Sequence, residues 1–238
     1  MNETAALEAL QRAYDRFGRR AGDWLERYEA RGGRVYCAAG CFHCCDMPIR
    51  TNLLEALAVA RSLDPARLAA MREHARKVWQ NARRGHPDTY AERHREQVGF
   101  CPLLDRAAGT CTAYGVRPTR CRDTYSALPA RFCAVGGWEG LSRREREGYA
   151  RTVARTPGTD GESHYLAPVE DLSLPVWEAG AQLMRELWGV ELWGDFAVLV
   201  DFTQCPEVWA ALESRRPRTV VKALKQAGLY HEEILEVR

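Results

Sequence analysis

Long apolar runs are missing from this chain: no stretch is long enough to cross a bilayer as a helix, so membrane-spanning functions find no support. A surplus of either charge is missing too. The 34 Lys and Arg nearly cancel the 32 Asp and Glu, and the net +2 leaves no strong field to draw nucleic acid or anionic lipid. Lysine is scarce, with Lys77, Lys222 and Lys225 the whole supply, so arginine carries almost all of the positive charge. A glycine-rich phosphate loop is lacking, and so is any recognisable Ser-His-Asp arrangement. The first 25 residues hold no apolar leader segment; Glu3, Glu8, Arg12, Asp15, Arg16, Arg19 and Arg20 occupy them instead. The expectation is therefore a cytoplasmic protein, in a compartment where thiols stay reduced.

Cysteine, by contrast, is plentiful. Of nine cysteines, four crowd into Cys37, Cys41, Cys44 and Cys45, and Cys101, Cys111 and Cys121 follow at equal spacing. Disulfides are a poor explanation, because nine thiols cannot all pair and a reducing compartment opposes pairing. Thiolates this close repel one another unless a cation neutralises them, and cysteines two or three residues apart can chelate one ion without long-range folding. The pattern predicts a metal site.

Periodicity predicts a mainly α fold, a helical bundle with a metal-stabilised, cysteine-rich loop region. Leu7, Leu10, Tyr14, Phe17, Ala21, Trp24 and Tyr28 form a stripe on one helix over residues 4–31, stopped by Gly32 and Gly33. A second helix is expected from the cap residue Asn52, with Glu55 reaching back to it, and a third from Asp64-Pro65 to Gly85. Pro102, Gly109, Gly115, Pro118, Pro129 and Gly136 interrupt the cysteine-bearing stretch, which reads as loop. Helix resumes at the capping box Ser142-Arg143-Arg144-Glu145. Further helices are expected at 175–188 and 217–227, with the tryptophans 177, 188, 193 and 209 as core. Between those helices, residues 190–202 flank Gly194-Asp195, which reads as a short β-hairpin or a helix end. Two parts follow, a metal-binding part at 1–137 and a helical layer at 138–238 that packs on the first stripe, together one continuous unit.

The helices between the two cysteine groups act as a strut that returns Cys101, Cys111 and Cys121 to the first block. Were residues 37–45 helical, Cys37, Cys41, Cys44 and Cys45 would share one face. Adjacent Cys44 and Cys45 cannot both easily reach one tetrahedral ion, so one is a spectator or two centres share the region. Arg117, Arg120 and Arg122 flank Cys121 and are candidate donors to sulfur. Cys133 is a further candidate ligand by spacing alone; His43 could replace a thiolate but reads as solvent-facing, His74, His86, His94, His164 and His231 read as surface residues, and Cys205 reads as a small buried hydrophobe.

The order Cys37-x3-Cys41-x2-Cys44-Cys45, Cys101-Pro102-Leu103-Leu104, Gly109-Thr110-Cys111-Thr112-Ala113-Tyr114 and Arg117-Pro118-Thr119-Arg120-Cys121-Arg122 resembles the YkgJ-type cysteine-cluster family. That resemblance covers about residues 37–125. It implies a zinc- or iron-chelating domain, often labelled an iron–sulfur oxidoreductase, with the seven cysteines as metal residues. Related cysteine patterns occur in flagellin lysine methylases, which implies a modifying enzyme as a further alternative. Cys37-x3-Cys41-x2-Cys44 also has the spacing of radical S-adenosylmethionine enzymes, but those need alternating strands and helices downstream, and residues 51–98 read as helix after helix.

Seven thiols exceed a single four-ligand site. A [4Fe–4S] cluster tolerates the wide, irregular spacing of the loop cysteines and is the expected cofactor, with zinc the alternative. The expected role is redox chemistry or electron transfer with a protein partner. A zinc-tied structural or interaction protein is the competing reading.

Overall fold

The computed structural model describes every residue except Gly85, Gly136, Trp138 and Glu139. Two sequence expectations, a stop at Gly85 and a break at Gly136, fall outside the described residues. The first helix, α1 (Glu3–Ala30), begins where the Asn2 side chain accepts a hydrogen bond from Ala5 N–H at 2.9 Å. It ends at Gly32, whose φ of +86° only glycine adopts readily. Leu10, Tyr14, Phe17, Ala21 and Tyr28 of the expected stripe are buried, and Leu7 and Trp24 pack partly buried against the core. Each fully buried large apolar side chain contributes about 1.5–3 kcal/mol, enough to outweigh helix propensity in placing α1.

A short strand, β1 (Arg50–Asn52), runs straight into α2 (Leu53–Ala60). Leu53, Leu54, Ala56, Leu57, Val59 and Ala60 are all buried, so α2 is apolar around most of its circumference and lies central in the fold. The next helix, α3 (Pro65–Arg84), starts with the Asp64 carboxylate accepting from Arg67 N–H, and α4 (Tyr90–Arg93) continues into a π-turn over His94–Val98. The cysteine-rich stretch has more order than its turn residues predict. It contains a minimal hairpin, β2 (Leu104–Asp105) with β3 (Thr110–Cys111), and a one-turn helix, α5 (Thr119–Asp123), that carries Cys121.

The predicted capping box at Ser142 forms at the start of α6 (Arg143–Arg155). Next, α7 (Ala167–Trp188) begins eight residues before the expected start, because Pro168 sits in its first turn and Pro175 is carried inside it. The helix α7 packs along α1 and also touches α2 and α5. Residues 190–202 correct the hairpin reading. Strand β4 (Leu192–Asp195) pairs antiparallel with β1 and with the C-terminal strand β5 (Leu235–Val237), in the order β1-β4-β5. After it comes α8 (Phe196–Phe202), because the Asp195 carboxylate accepts from Ala197 and Val198 N–H as a helix cap instead of serving a turn. Two further helices, α9 (Pro206–Leu212) and α10 (Pro217–Gln226), lie between α8 and β5.

The buried apolar residues of α1, α2, α3, α7, α8, α9 and α10 form a single cluster. Trp188 is in it, and Trp193 and Trp209 pack against it. Trp177 departs from the core expectation: it lines a surface cavity of about 300 Å³ together with Trp193 and Arg120. No helix among the described residues is long and apolar enough to cross a membrane.

Candidate metal centre

Residues 37–45 are a succession of turns, not a helix. Gly40 has φ +86°, Cys41 N–H donates to Ala38 O at 3.0 Å, and Cys45 N–H donates to Phe42 O at 2.9 Å. The four cysteines therefore lie around a loop and not along one helical stripe. The β2–β3 hairpin is folded down onto that loop. Gly109 takes φ +65° and approaches Gly40 so closely that a Cβ there would stand 2.6 Å from the Gly40 carbonyl oxygen. Just before β2, Cys101 N–H donates to Cys45 O at 2.8 Å. Backbone contacts alone thus bring the two cysteine blocks together.

Cys121 arrives on α5, and a buried carboxylate fixes that helix. Glu55 has no exposed surface and accepts from Tyr14 Oη–H at 2.7 Å, from Thr119 N–H at 2.9 Å, and from the hydroxyls of Thr51 and Thr119. It thereby joins α1, β1 and α2 to the first residue of α5. The cap geometry expected at Asn52 is half formed: Asn52 accepts from Glu55 N–H at 2.9 Å, but the Glu55 side chain turns into the core and not back to Asn52. A second organiser is Arg95 in the π-turn. Its guanidinium bonds the buried Asp46 carboxylate at 2.9 Å, His43 O at 3.3 Å and Cys133 O at 2.5 Å. It ties the first cysteine loop to the segment that bears Cys133.

The thiols of this region act on one another. Cys121 is pushed well above the ordinary thiol range by burial and then by the charges of Cys101, Cys44 and Cys111, with Arg117 opposing. Burial raises Cys101 to about 12, with Cys111 adding to the effect. Cys44 is raised first by its hydrogen bond with the Cys45 thiol and then by burial. Burial raises Cys37, helped by the charges of Cys41 and Cys44, and raises Cys133 to about 11, helped by Cys37, Cys44 and Cys41. Eight of the nine cysteines therefore share one neighbourhood. The ninth, Cys205, is half-buried elsewhere, against Glu207 at 3.0 Å, and not the buried hydrophobe expected.

None of the nine is in a disulfide. Among the described residues, no three Cys, His, Asp or Glu side chains stand together as a ready-made coordination group. The donor set nevertheless fits a thiophilic metal: closely placed, partly desolvated thiols ionise together only when a cation compensates their charge.

The arginines behave differently from expectation. Arg122 donates to Arg117 O at 2.7 Å and lies over the Tyr14 ring, and Arg120 pairs with Glu170 at 2.6 Å, so neither bonds a sulfur. Arg117 stays near Cys121, stacked on Tyr114 at 3.7 Å, with its buried Nε unpartnered. Cys37 Sγ takes its hydrogen bond from a backbone donor instead, Ser126 N–H at 3.2 Å. His86 is exposed as expected, but three other histidines depart from the surface expectation. His74, His94 and His164 are buried, and burial lowers them to about 4, about 3 and about 4. His164 Nε2 stands 3.2 Å from Cys133 Sγ. His43, half-buried, stacks on Phe42. Sequence reading missed Glu55, Arg95 and His164 as organisers. Only Glu55 left a signal, and a surface cap explained that signal equally well.

Residues 36–145 match the model of the CxxCxxCC family, described as "Putative zinc- or iron-chelating domain". No curated protein and no solved structure matches the chain.

Proposed function

We propose that this metal-binding segment, a domain of the CxxCxxCC family over residues 36–145, holds a [4Fe–4S] cluster that serves redox chemistry or electron transfer with a protein partner. The supporting observation is the set of thiols around Cys121. Cys44, Cys101 and Cys111 act on it from the first loop, the segment before β2, and β3, while Cys45 lies against Cys44. Four thiolates from scattered positions suit a cubane, which accepts wide spacing and needs no short chelating pair for every edge. When bound, such a cluster supplies a one-electron couple. The chain's own residues set its surroundings: Glu55 holds the helix of Cys121, Gly109 lets β3 close on the first loop, and Arg95 anchors that loop from behind. Half-buried sulfurs keep the site near enough to the surface for exchange with a partner while limiting solvent access, which governs both potential and oxidative lifetime.

The test is substitution at the loop ligands. Cys101→Ser and Cys111→Ser should each lose most of the iron and the visible absorption of anaerobically purified protein, while Cys205→Ser keeps both. Full iron content in Cys111→Ser would remove it from the ligand set and sink this assignment.

A further inference from the structure

Cys133 and His164 form a donor pair that the cluster around Cys121 does not use. Their facing atoms, Sγ and Nε2, are 3.2 Å apart, and both residues are buried, at 6% and 7% exposure. Neighbouring sulfur and nitrogen donors on one tetrahedral zinc, with bonds of about 2.3 and 2.0 Å, lie roughly 3.5 Å apart. The other ring nitrogen, Nδ1, is 2.7 Å from Tyr149 Oη, the kind of outer partner that fixes a ligating imidazole with its Nε2 lone pair aimed inward. Backbone pairing brings this histidine to the first cysteine loop: Ser126 bridges Tyr165, Ala127 N–H donates to His164 O at 2.9 Å, and Ser126 N–H donates to Cys37 Sγ at 3.2 Å. Arg95 holds Cys133 O and His43 O with one guanidinium, so Cys133 is tied to the loop that presents Cys41. A cavity of about 210 Å³ lined by Phe132, Tyr149, Glu162, Ser163, His164 and Tyr165 opens on the histidine of the pair.

We propose a second centre beside the first: a mononuclear zinc site with Cys37, Cys41, Cys133 and His164 as its four ligands. His164 lies beyond residues 36–145, so the C-terminal half of the chain contributes a ligand of its own. The division also reduces the excess of thiols, leaving Cys44, Cys45, Cys101, Cys111 and Cys121, one more than the four a cluster takes. In that sense the inference rests on the cluster reading. A closed Cys3His set is the chemistry of structural zinc, so this centre joins the two parts of the chain and carries no redox step.

Metal analysis and zinc-edge X-ray absorption of the full-length, anaerobically purified protein decide the matter. The expected result is about one zinc per chain, with one nitrogen at about 2.0 Å and three sulfurs at about 2.3 Å. His164→Ala should lose that zinc while iron and visible absorption persist, and His164→Cys should recover it with an all-sulfur shell. Wild-type protein with iron but no zinc, an all-sulfur wild-type shell, or full zinc in His164→Ala would each overturn the second centre and leave the first standing. Zinc with the expected shell and no iron would instead overturn the first alone. Should His164→Ala fail to fold, the wild-type shell still decides.

Discussion

Glu55 shows how much of a metal site can depend on a residue that binds no metal. Its carboxylate collects Tyr14, Thr51 and Thr119 in the buried core, and Thr119 begins the one turn of helix that presents Cys121. Glu55→Ala leaves at least the Tyr14 hydroxyl and the Thr119 N–H without an acceptor. Each unmet buried polar group costs about 1–3 kcal/mol, so the loss should reach about 3 kcal/mol. Chemical denaturation of the metal-loaded protein measures it, and iron content should fall in parallel. A variant within about 0.5 kcal/mol of wild type would show that α5 is held by something else. The sequence made Glu55 legible only as a cap partner, because capping spacing is a local signal and the Tyr14 and Thr119 partners are 41 and 64 residues away. The buried histidines were hidden for the same reason: nothing in a chain of scattered imidazoles says which ones a fold will enclose.

At the scale of elements, the sequence was most readable where a stripe or a cap acts within one helix. The α1 face, the Asn52 cap, the Asp64-Pro65 start and the Ser142 box all depend on neighbours three or four residues away. Residues 196–202 were ambiguous because an apolar run buried on all sides has no period, and only the position of Asp195 beneath two free N–H groups makes it a helix. The β2–β3 hairpin was similarly hidden, since its two-residue strands exist by resting on Gly40. Gly109→Ala tests that contact. The added Cβ meets the Gly40 backbone and L-residues resist φ +65°, so the hairpin should lift away from the first loop. Lower iron content and faster proteolysis between residues 99 and 137 are expected, and unchanged values for both would contradict the role given to Gly109.

Acid sensitivity belongs to the contact between α3 and the π-turn. His74 and His94 face each other there with ring centroids 6.0 Å apart, and burial is the first cause that lowers each, to about 4 and about 3 from an ordinary 6.5. The unfolded chain protonates both below about pH 6.5 while the folded chain resists, so it binds more protons in that window. The stability gained by keeping them neutral is fully present above pH 6.5 and is lost as pH falls toward their folded values, by about 1.4 kcal/mol per unit for each group. Between about pH 6 and 4, His74→Leu should therefore lose stability less steeply than wild type. Equal slopes in denaturation series across that range would show that His74 does not carry the effect.

For the molecule as a whole, one core serves both halves. The helix α7 covers the stripe of α1, β4 lies between β1 and β5, and α8 packs on α2 and α3, so the strand and helices that precede and follow the cysteine loops are braced by the C-terminal half. The cysteine stretch itself contributes Leu103, Ala113 and Ala127 to that core and little more, so apolar burial anchors it only weakly. Composition and cysteine spacing made the chemical class legible, because thiolate crowding has few stable outcomes. Identity and number of the metals were not legible, because zinc and iron–sulfur clusters draw on the same ligand. Iron, zinc and acid-labile sulfide should therefore be measured, with the visible spectrum, on full-length protein purified without oxygen. A coloured protein with about four iron and four sulfide per chain is expected. A colourless protein whose cysteines hold no iron and no sulfide would rule out the iron–sulfur cluster.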